Sequence, residues 1–134
     1  MTDLSDVLLQ TLNGINDGFK SAKTDFDEVL SEVRQAIQKV RSGLDVMPIE
    51  QDKAPSGTIY RLTLTFEEKS QTIGFYKISS SGYPIFYGNY SEISSEWAPN
   101  RKPLTDKNAV REHFVEMLQN KNSPLIVQIA YMLR

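Results

Sequence analysis

Residues 8–40 read LLQTLNGINDGFKSAKTDFDEVLSEVRQAIQKV. Within that stretch Leu8, Leu12, Ile15, Phe19, Ala22, Phe26, Val29, Val33, Ala36 and Val40 recur at spacings that alternate four and three, the heptad rhythm of a helix that packs along one seam. Leu30, Ile37 and Leu44 widen the stripe over its second half, which suits burial against a sheet or a second helix. A helix continuous from about Leu4 to about Arg41 would be about 55 Å long at roughly 1.5 Å per residue. That exceeds the width of a compact domain of this size, so part of the helix must project, bend or meet a partner chain. The weak point is Asn13-Gly14-Ile15-Asn16-Asp17-Gly18. Each glycine costs about 1 kcal/mol relative to alanine inside a helix, and Asn-Gly and Asp-Gly are turn signals. A break there would leave a short helix and a second one capped by Thr24, with Asp27 three residues on. The unbroken heptad phase favours one helix within residues 1–45, with any bend near 14–18.

Outward from this helix, Gly43 and Pro48 predict its end, and Ile49–Ser56 reads as a polar connector. From Thr58 the period changes to two. Tyr60, Leu62, Leu64 and Phe66 alternate with Ile59, Arg61, Thr63 and Thr65, the pattern of a half-buried strand. Thr72–Ile78 and Tyr83–Tyr90 predict two further strands, separated by the turn Ser79-Ser80-Ser81-Gly82, and Pro84 favours an edge position for the third. Ser91–Pro103 reads as irregular. Thr105 or Asp106 would cap a helix to about Gln119, and Ser123-Pro124 starts a final short helix over Leu125–Leu133, with a buried strand as the alternative. The expectation is therefore an α+β single domain with a long amphipathic N-terminal helix, a three-stranded antiparallel meander over 58–90 and two C-terminal helices over 105–134.

Composition narrows the chemistry. The 134 residues carry 15 basic and 17 acidic side chains, one histidine and no cysteine. A disulfide framework, a thiolate zinc site, an iron–sulfur cluster and a thiol nucleophile are all excluded. A net charge of −2 does not suit the grip on a phosphate backbone, so duplex nucleic acid is not an expected partner. The charge is uneven, with residues 1–50 acidic and 51–134 basic on balance. Neither a basic signal segment nor an apolar stretch of membrane-spanning length is found, Leu125–Leu133 being too short, which predicts a cytoplasmic protein with no membrane partner.

Catalytic equipment is sparse. His113 sits at the border of the apolar stripe on the helix from Asp106 and reads as a surface or boundary histidine. An enzyme built on it would need the imidazole in a pocket with a carboxylate. Asp25, Glu28 and Glu32 share a helix face that could hold a hard cation, but a solvated acidic face explains them as well. The chain carries no P-loop, no dinucleotide fingerprint and no Gly-x-Ser-x-Gly elbow. No catalytic residue, metal or cofactor is expected.

Aromatic residues crowd the middle of the chain. Phe75, Tyr76, Tyr83, Phe86, Tyr87, Tyr90 and Trp97 fall close together, with Lys77, Arg101 and Lys102 beside them. Alternation pairs Phe75 with Ile73, Tyr76 with Ile78, Ile85 with Tyr87 and Phe86 with Tyr90, so both sheet faces carry large side chains. Helices are numerous enough to cover both faces, the long one on one side and the C-terminal pair on the other. Two functions are compatible with this layout. The first is a non-catalytic interaction or assembly module that self-associates or docks to a protein partner through Leu12, Ile15, Phe19, Phe26 and Val33. The second is a small-ligand or single-stranded nucleic-acid binder that stacks its ligand on Tyr76, Tyr87 and Trp97, with Lys77 and Arg101 as anionic anchors.

Overall fold

A computed structural model describes residues 3–91, 94, 96–99 and 102–134. The heptad stretch forms one unbroken helix, α1 (Leu4–Val40), whose N-cap Asp3 accepts a hydrogen bond from the Ser5 amide at 2.8 Å. Five antiparallel strands follow: β1 (Asp45–Ala54), β2 (Gly57–Phe66), β3 (Lys69–Ser79), β4 (Gly82–Ser91) and β5 (Glu96–Pro99), paired in chain order. Two helices close the chain, α2 (Lys107–Gln119) and α3 (Pro124–Met132). Their caps are Asp106, which accepts from the Ala109 amide, and Ser123, which accepts from the Ile126 amide ahead of Pro124. The Ser-Pro start therefore begins a helix over Pro124–Met132, with Leu133 as its C-cap, and the strand alternative falls away.

The expected three strands become five. The stretch expected to be a polar connector belongs to β1, an edge strand that pairs with β2 from Asp45↔Thr65 to Ala54↔Gly57. An edge tolerates both the missing amide of Pro48 and the charges of Glu50, Asp52 and Lys53, since only one side of the strand must bond. Within the stretch expected to be irregular, β5 pairs with β4 through Tyr90↔Trp97, and Leu104 bridges to Ile85. The strand bearing Pro84 is consequently not at the edge.

The alternation of β2 sorts its residues between the two faces and decides where the core sits, but the strand is not half-buried as expected: Ile59 and Thr63 on the other face are also buried, because the coiled sheet closes over them. Val46, Tyr60, Leu62, Leu64, Phe66, Tyr76, Ile78 and Ile85 face the same side as Ala22, Phe26, Val29, Leu30, Val33 and Ile37 of α1, Val110, Phe114 and Met117 of α2, and Leu125 and Met132 of α3. All three helices thus lie on one sheet face, where they had been expected to be shared between two. A bulge at Ile73, between the pairs Leu62↔Gly74 and Thr63↔Thr72, turns Ile73 into this core and away from Phe75. On the other face the Tyr90 hydroxyl reaches from β4 to Asp52 of β1 at 2.7 Å. Strands three positions apart can meet in this way only if the sheet is strongly coiled, and the bulges at Ile73 and in β1 between Glu50 and Asp52 add to that coiling.

The two glycines of the suspected break have different surroundings. Nothing lies within 4 Å of the position a side chain would take at Gly14, whereas one at Gly18 would overlap the Ser81 carbonyl, and one at Gly82 would overlap the Gly18 carbonyl. Helix backbone and hairpin turn touch directly here, so Gly18 permits close approach and no bend is needed. Replacing Gly18 by alanine is expected to cost about 2 kcal/mol or more through this overlap. Replacing Gly14 by alanine should instead favour the helix by up to about 1 kcal/mol. Urea unfolding and helical ellipticity of the two variants check the opposite signs.

Candidate docking surface

Beyond the Gly18 contact, α1 leaves the body of the molecule. Every residue from Asp3 to Asp17 is exposed, and the first fully buried residue of the helix is Ala22. The projecting part is about 22 Å long at roughly 1.5 Å per residue. It carries Leu4 at 82% exposure, Leu8 at 59%, Leu12 at 48% and Ile15 at 38%, flanked by Val7 and Leu9. Leu4, Val7, Leu8, Leu12 and Ile15 are in phase with Phe19, Ala22 and Phe26, so the face that the sheet covers further along continues uncovered. A contiguous apolar stripe of this kind is uncommon on a monomer that works alone. Isolated helices this short are also marginal in water.

The expected docking residues divide at this point. Leu12 and Ile15 are exposed on the projecting stripe, and Phe19 is half-buried against the core. Phe26 and Val33 are not available to a partner. Phe26 is fully buried between Tyr76 and Phe114, with ring centroids 5.3 and 6.2 Å away, and Val33 is 4% exposed. The unbroken heptad seam predicts one use along its whole length and so places both at an interface. The helix is longer than the sheet, so the same seam is core at one end and surface at the other.

The aromatic residues are redistributed too. Tyr76 is completely buried on the helix-covered face, and Tyr87, on the same face, packs against it with centroids 5.0 Å apart. Tyr76 is therefore closed to a ligand, whereas Tyr87 is half-buried and lines two surface clefts. Trp97 is half-buried opposite Tyr90 on the other face, where Phe75 and Tyr90 rings lie 5.8 Å apart. Lys77 donates to Ser56 Oγ at 2.7 Å. Arg101 lies outside the described residues.

His113 is not the surface or boundary residue that its place at the edge of the apolar stripe predicts. It is buried, 4% exposed, with Nε2 2.7 Å from the Tyr76 hydroxyl, which also contacts Met117 Sδ at 3.4 Å. Either ring nitrogen or phenol can hold the shared proton, according to tautomer. The helical angle carried the signal: His113 lies three residues after Val110 and four before Met117, on the same face as both. The imidazole edge also lines, with Glu112, Glu116 and Lys102, a surface cleft of about 460 Å³. The chief role visible for the imidazole is to satisfy a phenol buried in the core.

The acidic helix face is engaged in intramolecular pairs. Asp25 accepts from Tyr83, Glu28 pairs with Lys107, and Glu32 lies 3.3 Å from Arg111 Nε. These contacts tie α1 to β4 and α2. Among the described residues no group of three or more His, Asp or Glu side chains is placed to hold a metal ion, and no helix is long and apolar enough to cross a membrane. Arg34 grips Asp45 through Nε at 2.7 Å and Nη2 at 3.1 Å, joining α1 to the start of β1 and raising the guanidinium pKa, chiefly through the hydrogen bond.

At the C-terminal end of α1 the surface is apolar again. Ala36, Ile37 and Val40 of α1, with Leu118, Ile126 and Ile129 from the C-terminal pair, line a groove of about 250 Å³ floored by Leu44. Val40 on its rim is 73% exposed, and Val127 and Tyr131 of α3 are 47% and 57% exposed. Comparison of the chain with protein-family models, curated proteins and solved structures finds no match.

Two measurements check the buried polar groups. Replacing His113 by leucine removes the strong partner of the Tyr76 hydroxyl and is expected to cost about 2–3 kcal/mol, while the double variant His113→Leu/Tyr76→Phe should be no less stable than the single one, because a buried polar group has gone with its partner. A double-mutant cycle by urea denaturation reads this directly. The second concerns pH. Burial, then the hydrogen bond to Asp25, holds the Tyr83 phenol well above its ordinary value of 10, and burial, then Glu50 and Asp27, pushes Tyr60 up to about 12. Folded protein therefore keeps protons that the unfolded chain releases near pH 10, so this stabilisation is whole below pH 10 and is lost as pH rises through 12. The urea midpoint should fall across that interval, and fall less in Tyr60→Phe/Tyr83→Phe.

Proposed function

We propose that this chain is a non-catalytic assembly or adaptor module whose docking element is the projecting part of α1, with Leu4, Leu8, Leu12 and Ile15 as the contact stripe and Phe19 at its root. The observation that carries the reading is that the apolar phase continues without interruption past the point where the body of the molecule stops covering it. Burying a leucine side chain yields about 1.5–3 kcal/mol, so a few such contacts suffice to hold a partner once the entropy of association is met. The rival reading, a ligand or single-stranded nucleic-acid binder on the aromatic sheet face, retains Trp97 and Lys77 but loses Tyr76 to the core, and the half-buried Tyr87 lies on the opposite sheet face from Trp97.

The test is a pair of substitutions at exposed positions. Leu8→Asp/Leu12→Asp should leave the urea midpoint of the body nearly unchanged, because neither side chain contributes to the core. The same variant should lose at least tenfold in self-association by light scattering, or in capture of a partner from the native source, relative to the parent chain. Equal behaviour of the two proteins in both assays would refute a docking role for this segment.

A further inference from the structure

We infer that the occupant of the apolar groove at the C-terminal end of α1 is the projecting segment of a second copy of this chain, docked reciprocally so that the start of each α1 lies against the end of the other. The inference rests on the docking role just assigned to the segment, and it commits that role to one partner.

Charge decides between the ways two copies could use these surfaces. Residues 3–17 contain Asp3, Asp6 and Asp17 and no basic side chain. Pairing two such segments with each other would bring six carboxylates together, an arrangement that like-charge repulsion opposes. The rim of the groove has the opposite sign: Lys39 and Arg41 flank Val40, and Asp45 nearby is already held by Arg34. A segment with an acidic back and a leucine face therefore meets a groove with an apolar floor and basic surroundings. The helix dipoles agree, because reciprocal docking sets the positive end of one α1 beside the negative end of the other.

Shape agrees with the charge. The segment offers leucine-sized side chains at helical spacing, and the groove is an apolar trough between helices, the geometry in which one more helix packs. Both surfaces occur on every chain, so a two-fold axis that docks one segment docks the other and closes the assembly as a dimer. The two sites together put the exposed Leu4, Val7, Leu8, Leu12 and Ile15 of each chain against the groove that ends at the exposed Val40 of the other.

The absence of cysteine makes the test clean. Leu8→Cys and Val40→Cys each place a single thiol at an exposed position, 59% and 73% accessible in the parent chain. Under mild oxidation an equimolar mixture of the two variants should give a covalent heterodimer as the main product, whereas each variant alone stays uncrosslinked, and raised salt should slow the reaction. Efficient crosslinking of Leu8→Cys with itself would overturn the inference by showing that the segments pair with each other, while leaving the docking role of the segment intact. A chain that stays monomeric at millimolar concentration and gives no crosslink in the mixture would also overturn it. In that case the docking role stands only if Leu8→Asp/Leu12→Asp loses a foreign partner that the parent chain holds. An oligomer that persists unchanged in Leu8→Asp/Leu12→Asp would overturn both.

Discussion

A tyrosine hydroxyl at the centre of a sheet must find a partner or the core does not close. Tyr76 sits where α1, α2 and the sheet converge, with Phe26, Phe114 and Tyr87 around its ring and His113 on its oxygen. Leaving that oxygen without a partner would cost about 1–3 kcal/mol, a sizeable share of the total stability of a small protein. The position of α2 follows from this demand. Its register is fixed by presenting His113 and Met117 to the hydroxyl and Phe114 to the ring of Phe26, and the exposed pairs Lys107–Glu28 and Arg111–Glu32 then fall into line along the same two helices. Such surface pairs add little individually, so they follow the packing and do not set it.

The second organising fact is a mismatch of lengths. Strands of ten or eleven residues reach about 35 Å, and because α1 starts its contact at the β3–β4 turn, the sheet runs out long before the helix does. Direct backbone contact between Gly18 and the turn at Ser81 and Gly82 marks the boundary. On one side of it the heptad seam is core, and on the other it is surface.

The sequence made the helices legible because their signals are local. Alternating four and three spacings, Asp106 as a cap and Ser123 before Pro124 each act within a turn or two, and each is found where its chemistry places it. Strands β2, β3 and β4 were legible for the same reason. Edge strands were not: Asp45–Ala54 is polar and interrupted by Pro48, because an edge strand bonded on one side only needs little hydrophobicity, and Glu96–Pro99 is too short to show a period. The exposed apolar stripe was half legible. Periodicity identified Leu12, Ile15, Phe19, Phe26 and Val33 as one face, but where cover ends depends on a contact between residues 18 and 81, far apart in sequence. Tyr76 and His113 were misplaced for a similar reason, since their mutual hydrogen bond joins residues separated by thirty-seven positions.

The outer strands carry a consequence for how copies of this molecule can meet. An antiparallel meander ends in two open rows of amides and carbonyls, the usual template for uncontrolled strand addition. Here one row belongs to β1, with Pro48, a bulge and the charges of Glu50, Asp52 and Lys53, and the other to the four residues of β5, ending in Pro99. Neither offers a long flat ladder to a neighbouring chain. The sheet is thereby guarded against fibril-like growth, and a protein with sticky leucines on a projecting rod can be concentrated without its strands becoming the glue.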